Sequence, residues 1–553
     1  MEEKSEPAEA SFIKSSSEKN NSNENLEPPQ QTAATLVRHG SALSLLTLVS
    51  RVLGLLREMT KARFLGTTAL SDAFSVAFLL PNLFRRLFAE GSISVAFIPT
   101  FKEFLLKNDK EATREFLSCM FTFLTFFVTL AVCLGILAAP LLVPVFGMEE
   151  FNETILLTRI MFPFLAFISL AALFQGVLNS LHIFTPSGLA PILLNIITIL
   201  FTYMLSPFTA NPARAMSIGI LTGGFMEAAI QLPFILKKGH AFFFTGLKRA
   251  INNPGVRKVL ILIGPTIIGM AAYQLNDLIA TALAGRAGEG VVSSLQYSVR
   301  LQELFLGVFA VSIGTVLLPN LTEYAKTSQW EIYNKRLGAS INIIAMITIP
   351  VTFFCMIEGE NLIRLLFQRH TFDDQSAGLT LAAFKFHMPG LLFIALNRVI
   401  APAFYAQSDT KSPTLAGIIS IGVNIILAAV LSGRFRGAGI AFALTFASAV
   451  NTFLLVIFLG KKPTIDLKTA VGPSLLYILK MLIFSAAAAV PIYFLSPLLG
   501  EVFRSQTHII KYGAPFAINA VFYFATGAAL LASSMDQNIK TLINIIKKKG
   551  KIK

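Results

Sequence analysis

Residues 116–146 read FLSCMFTFLTFFVTLAVCLGILAAPLLVPVF, an apolar run without one charged side chain. About 20 such residues are enough for a helix to cross the hydrocarbon core of a bilayer. Working outward, the same kind of segment recurs along the chain. Fourteen spans follow, at about 41–66, 69–104, 115–146, 153–182, 184–206, 215–238, 255–286, 290–325, 335–362, 375–408, 412–433, 436–461, 472–498 and 509–536. Composition agrees. Of 553 residues, 54% are hydrophobic and only 14% charged, and the mean hydropathy is +0.66. A water-soluble surface needs roughly a quarter of residues charged. The expected fold is therefore an all-α integral membrane protein, which excludes most cytosolic enzymes, a disordered chain and a disulfide scaffold.

The loops carry the orientation. Even-numbered gaps hold Lys102, Lys107, Lys110 and Arg114, then Lys237, Lys238, Lys248, Arg249, Arg257 and Lys258, then Lys326, Lys335 and Arg336, then Lys461, Lys462 and Lys468. Odd-numbered gaps are poor in Lys and Arg, and one reads Met148-Glu149-Glu150-Phe151. Positive charge accumulates on cytoplasmic loops, so both termini are expected in the cytoplasm of a multi-pass protein. The net charge of +15 then reflects this bias and not a nucleic-acid partner. Residues 1–38 are polar and rich in Ser, Asn, Glu and Pro, the composition of a disordered tail, and the start shows no secretory signal. Residues 537–553 are basic and expected to lie on the anionic inner leaflet. Cys119, Cys133 and Cys355 sit in apolar runs without C-x-x-C spacing and read as small core residues.

An internal repeat is visible. Ser92-Ile93, Pro99 and Glu103 recur 220 residues later as Ser312-Ile313, Pro319 and Glu323, and Phe88-Ala89 echoes Phe309-Ala310 one residue out of step. Thr185-Pro186 before Asn195 has a looser echo in Ser412-Pro413 before Asn424. That offset equals about six helices with their loops. The expected organisation is a six-helix half over 39–254, a parallel six-helix half over 255–462, and two extra helices over 463–536. Such repeats are a feature of transporters.

Ionisable residues inside spans cost about 2.5–3.5 kcal/mol each on insertion scales and usually face a cavity. The first span carries Arg51, Arg57, Glu58, Lys61 and Arg63; the second Asp72, Arg85, Arg86 and Glu90; the seventh Asp277; the eighth Arg300 and Glu303. This pattern predicts a cationic cavity in the first half, with Arg300 added from the second. Arg presents a planar fork of donors suited to phosphate and carboxylate, so an anionic ligand such as a phosphorylated headgroup is one reading. The other is structural: Arg51, Arg57 and Arg63 snorkel, or pair with Glu58, Asp72 and Glu90, while Arg86 and Lys61 serve as packing charges. The residues alone leave both open. Pro81, Pro99, Pro265, Pro319, Pro389 and Pro402 mark expected kinks, and His387 near Pro389 reads as a packed or pore-lining side chain. No Walker A, dinucleotide, zinc-protease or nucleophile-elbow motif occurs. The chain reads as a transporter and not an enzyme, with no cofactor, driven by the membrane potential or an ion gradient.

Three blocks then carry a resemblance. Ser50-Arg51-Val52-Leu53-Gly54-Leu55-Leu56-Arg57-Glu58, Ser71-Asp72-Ala73-Phe74 and Leu80-Pro81-Asn82-Leu83-Phe84-Arg85-Arg86-Leu87-Phe88-Ala89-Glu90-Gly91 resemble the MurJ/MviN family of lipid II flippases. Gln175-Gly176-Val177-Leu178-Asn179-Ser180, Arg300-Leu301-Gln302-Glu303, Ala403-Phe404-Tyr405-Ala406 and Asp409-Thr410-Lys411-Ser412-Pro413 extend the likeness over about residues 40–536. The resemblance implies the multidrug/oligosaccharidyl-lipid/polysaccharide exporter fold, fourteen helices, and a lipid-tail groove formed by the last two. It implies a bacterial inner-membrane protein that moves lipid II outward by alternating access, for peptidoglycan synthesis and cell shape. Its partners would be lipid II, membrane lipids and the cell-wall synthesis machinery.

By the same resemblance, substrate binding falls to Arg51, Arg57, Arg85 and Arg300, with Asp72, Asn82 and Glu303. Some relatives bind sodium, for which Asp277 and Asn424 are the weak candidates here, because Ala428 stands one turn after Asn424 where an acid would be needed. Val299 stands before Arg300 where some relatives have Asp, which removes one ion-pair partner. Three other functions stay open: a flippase for another undecaprenyl-linked oligosaccharide, a cation-coupled exporter, and a non-transporting scaffold.

Overall fold

The computed structural model describes residues 33–86 and 92–534. Of the expected tails, residues 1–32 of 1–38 and all of 537–553 lie outside the described residues, as do Phe88, Ala89 and Glu90. Among the described residues the chain is helical throughout, with no strand. The elements are α1 (Ala33–Leu65), α2 (Ala69–Arg85), α3 (Ser92–Leu106), α4 (Lys110–Leu142), α5 (Phe151–Met161), α6 (Phe164–Ser180), α7 (Thr185–Leu205), α8 (Pro212–Ala229), α9 (Leu232–Lys237) and α10 (Leu247–Asn252). They continue as α11 (Pro254–Arg286), α12 (Val291–Lys326), α13 (Trp330–Phe367), α14 (Asp374–His387), α15 (Gly390–Tyr405), α16 (Lys411–Gly460), α17 (Leu467–Ala470), α18 (Gly472–Val502) and α19 (His508–Ser533).

Eight of the described helical segments are long and apolar enough to cross a membrane, or nine when the bent pair α14–α15 counts as one span. This is the coarse form of the expected architecture. Boundaries differ in instructive ways. The first helix is already formed at Ala33, the first described residue, inside the segment expected to be a tail. The expected span 153–182 is two helices, because Pro163 cannot donate and caps α6. The expected spans 412–433 and 436–461 follow one another as two helices within α16, parted by a kink at Arg436, whose φ of 50° and ψ of −131° are not helical.

Prolines behave unequally. Pro81, Pro99, Pro319 and Pro402 lie inside α2, α3, α12 and α15. Pro389 separates α14 from α15, which meet at a 46° bend. Three carbonyls around that break are capped by side chains from three other helices. Thr445 Oγ1 donates to Phe386 at 2.7 Å, Thr352 Oγ1 to Met388 at 3.2 Å, and Gln302 Nε2 to His387. Free carbonyls would cost several kcal/mol each in hydrocarbon, so this bend is pinned by its neighbours.

Two apolar cores organise the helices. One is centred on α2–α8 with α10 and α11, and includes Phe97, Phe101 and Phe116. The other is centred on α12–α19 and includes Tyr297, Tyr333 and Phe384. Ala62 belongs to the second core and Leu65 to the first, so α1 runs between them. At one end, the α1–α2, α11–α12 and α13–α14 turns are stitched together. Thr67 Oγ1 bonds Ser376 Oγ at 2.9 Å, Thr371 N–H donates to Arg63 O at 3.3 Å, and Tyr297 Oη donates to Gly66 O at 3.0 Å. Ala69 N–H donates to Glu289 at 2.9 Å, and Arg436 Nε donates to Ala287 O at 2.9 Å. Gly66 takes a φ of +57°, and a Cβ there would collide with the Thr371 carbonyl, so only glycine fits this closure.

Candidate functional site

A cavity of about 340 Å³ opens between the two cores, walled by α1, α2, α11, α12, α14 and α16. Its polar lining includes Arg57 and Glu58 from α1, Asn82 from α2 and Arg86 just after it, Asn276, Asp277 and Thr281 from α11, and Gln296, Arg300 and Glu303 from α12. His387 and Asn424 add to it from α14 and α16.

Glu58 is the hub. It is only 9% exposed. Its Oε1 accepts from Arg57 Nη2 at 2.9 Å and lies 3.6 Å from Arg300 Nη2. Arg300 Nη1 also donates to Glu303 at 3.0 Å, one turn along α12. On the opposite wall Arg86 Nη1 pairs with Asp277 Oδ2 at 3.5 Å. The lining thus sets three guanidiniums against three carboxylates, and the expected cationic cavity is, in this state, charge-balanced. The reason is that α1, α2, α11 and α12 bring their acids to the same wall as their arginines. Charge-assisted pairs of this kind can be exchanged for an incoming phosphate without leaving a guanidinium bare.

The other expected site residues divide. Arg57, Asn82, Arg300 and Glu303 line the cavity. Arg85 is off its wall, with Nε donating to Asn82 Oδ1 at 2.7 Å. Arg51 lies exposed on α1, its guanidinium against the bare Cα of Gly307 in α12. Asp72, only 4% exposed, faces away from the cavity lining. Its carboxylate accepts the backbone N–H of Gly290 at 2.9 Å and of Ser293 at 2.8 Å, and so caps the N-terminus of α12. Arg63 stacks over Tyr203 at 5.6 Å. Lys61 is buried behind the cavity and donates to Ser75 Oγ at 2.6 Å and Gln296 Oε1 at 2.9 Å.

The sodium candidates share the cavity but not a ligand sphere. Asn424 Nδ2 donates to Asn276 Oδ1 at 2.8 Å, while Asp277 faces Arg86. Among the described residues no three His, Cys, Asp or Glu side chains converge to hold a metal. Sequence reading did not place Glu58, Arg86, Asn276 or Gln296 in the site. Glu58 adjoins Arg57, and neighbours at i and i+1 do not face each other on a helix; only the length of the arginine joins them. His387, expected as pore-lining or packed, is both: it lines the cavity and its Nδ1 meets Ser298 Oγ at 2.7 Å.

Comparison with known proteins adds the following. The family model described as "Lipid II flippase MurJ" matches residues 61–512. A "Probable lipid II flippase MurJ" of Treponema pallidum is 42% identical over 513 residues, which is 92% of this chain and 97% of that protein. A "Lipid II flippase MurJ" of Burkholderia cenocepacia is 32% identical over 75% of this chain and 82% of its own length. Among solved structures, one described as lipid II flippase MurJ in an inward closed conformation aligns with a TM-score of 0.74 at 23% identity, covering 89% of this chain and 99% of that one. An inward-facing multidrug transporter of the MATE family aligns with a TM-score of 0.63 at 14% identity, over 74% of this chain and 94% of that one. These two structural likenesses speak to the fold.

Proposed function

The chain belongs to the lipid II flippase MurJ family, and from that premise we propose that its cavity takes the diphosphate-sugar-peptide headgroup of lipid II on the cytoplasmic side and releases it on the outer side. The observation that carries this reading is the ring of exchangeable guanidinium–carboxylate pairs, Arg57–Glu58–Arg300–Glu303 and Arg86–Asp277, in a space between two helical halves. Moving such a headgroup through hydrocarbon is prohibitive, since charge and many polar groups would lose their water. A polar cavity substitutes for that water. Arg57 and Arg300 exchange Glu58 and Glu303 for phosphate oxygens. Arg51, next to Gly307, and Arg85, through Asn82, support them from the edge. The halves then rock, the stitched end opens, and a membrane potential negative inside favours exit of an anion.

The orientation and count belong to the same proposal. Fourteen spans result when the eight apolar segments and the α14–α15 pair are joined by the charge-bearing α1, α2–α3, α11 and α12, and α16 is divided at Arg436. Support for parallel halves lies in the register: α1 ends at Leu65 and α11 at Arg286, an offset of 221 residues (286 − 65) that matches the sequence repeat to within one residue. On this reading both termini are cytoplasmic and the stitched end faces outward. Helices α18 and α19 present Leu475, Leu476, Tyr493, Phe494 and Val521 outward, an apolar surface suited to a long lipid tail. The function is tested by depleting the protein in cells and scoring lipid II with an externally added cleaving toxin. Cleavage should fall on depletion and return with wild type but not with Arg57→Ala. Undiminished cleavage would mean either a second flippase for lipid II or another undecaprenyl-linked cargo for this chain.

A further inference from the structure

Away from the cavity, one buried acid is left without a cation. Glu358, on α13, is 0% exposed. Its Oε1 accepts from Asn519 Nδ2 of α19 at 2.7 Å, and its Oε2 accepts from Asn361 Nδ2 at 2.8 Å, one turn along α13. Among the described residues no Lys, Arg or His pairs with it, although Arg364, less than two turns on, pairs with Glu360 and Asp374. Asn519 is also 0% exposed, and its Oδ1 receives no hydrogen bond. The amide that carries this idle oxygen is held against the carboxylate by its own nitrogen. One turn before Glu358 the site is sealed by Phe354, which packs on Phe516, Tyr523 and Phe524 at 5.3–5.6 Å.

An unpaired carboxylate is costly in so dry a place, and an idle buried carbonyl oxygen adds to that cost. One small cation would relieve both. We propose that Glu358, Asn519 and Asn361 form a binding site for a monovalent cation at the α13–α19 contact. A single carboxylate balances a single positive charge, and carboxylate and amide oxygens are hard ligands, which suit an alkali ion over a transition metal; Asn519 and Asn361, which now turn their nitrogens to Glu358, would turn their oxygens to the ion. The site lies about 14 Å from the end of α13 and about 16 Å from the start of α19, at 1.5 Å per residue. Those two ends are neighbours, since Arg364 stacks over Tyr512. A bound ion would therefore clamp the last helix onto the second half, in a place distinct from the cavity.

The probe is sodium itself. Full-length protein in lipid nanodiscs is titrated with radioactive sodium, with choline as the ionic-strength control and potassium as competitor. Wild type should bind saturably, and melt at a higher temperature in sodium than in choline. Glu358→Gln keeps the shape and one of the two acceptor oxygens but removes the charge, and should abolish both effects while folding normally. Asn519→Ala should weaken binding on the order of tenfold or more, as loss of a supporting ligand does. Equal sodium binding by wild type and Glu358→Gln would put the ion elsewhere and overturn the site. So would a wild type with no response to sodium, in which case Glu358 serves only as polar glue between helices. Neither result bears on lipid transport, which is read separately.

Discussion

Replacement of Asp72 should unlock the stitched end of the cavity. Asp72 sits on α2, and the two N–H groups it accepts, from Gly290 and Ser293, open α12 in the other half. On the proposed rocking of the halves, these bonds break when this end opens. Each is a hydrogen bond to a charged acceptor, worth about 1.5–3 kcal/mol; end-cap losses in water run lower, at about 0.5–2 kcal/mol. Since Asp72 is 4% exposed, a value of about 3 kcal/mol is reasonable for Asp72→Ala, or roughly 150-fold in the open-to-closed ratio. Asp72→Asn keeps one acceptor oxygen and a good capping residue, and should cost about 1 kcal/mol, roughly fivefold. The assay places a single cysteine at Thr281, on the cavity wall, in a chain whose three native cysteines have been replaced. An impermeant maleimide is then added outside intact cells. Labelling should rise in the order wild type, Asp72→Asn, Asp72→Ala. Equal rates in all three would refute the closure argument and leave Asp72 a purely local cap.

Four further outcomes follow from the same geometry. Gly66→Ala should mimic Asp72→Ala in the labelling assay, because its Cβ would meet the Thr371 carbonyl that closes the same end. Glu58→Gln releases Arg57 and Arg300 from their shared carboxylate; binding of a soluble diphosphate headgroup analogue, read by calorimetry, should tighten while transport slows. Arg300→Lys keeps the charge but loses the fork that reaches Glu58 and Glu303 together, and should rescue transport only partly, where Arg300→Ala rescues none. In the loop before α16, burial raises the Asp409 carboxyl, but Lys462, at 2.5 Å, and the N–H and O–H of Ser412 outweigh it and hold the group at about 2. Its stabilising contribution is complete above about 3.8 and is lost as pH falls to about 2. The melting difference between wild type and Asp409→Asn should therefore be constant near pH 7 and vanish by pH 2.

Much of the architecture was legible because lipid makes composition speak: long uncharged runs must be helices, and charged ones stand out. Arg57, Arg300 and Glu303 stood out because charge in a span needs a cavity, and Asn82 through the resemblance alone; all four line the cavity. What the sequence hid was pairing. Asp72 looked like a cavity acid, yet its partners lie more than 200 residues away and are backbone groups, which leave no mark in a side-chain pattern. The balance of the cavity was hidden likewise, because Glu58 reaches Arg300 and Arg86 reaches Asp277 only after helices remote in sequence pack together. The break in α16 falls on Arg436 although Gly433 and Gly437 flank it. Its side chain bonds the Ala287 carbonyl, a tertiary contact that local propensity cannot announce. Glu358 was passed over altogether, since nothing in the sequence around it points to Asn519.

The central claim, that the guanidiniums of this cavity carry the headgroup across, is met most directly in purified vesicles. Protein is reconstituted with fluorescent lipid II, a potential is imposed, and quenching from outside counts the molecules that have crossed. Wild type should expose the probe faster when the receiving side is positive, and Arg57→Ala and Arg300→Ala should remain at the protein-free rate although folded. Transport by either variant at the wild-type rate would contradict the account.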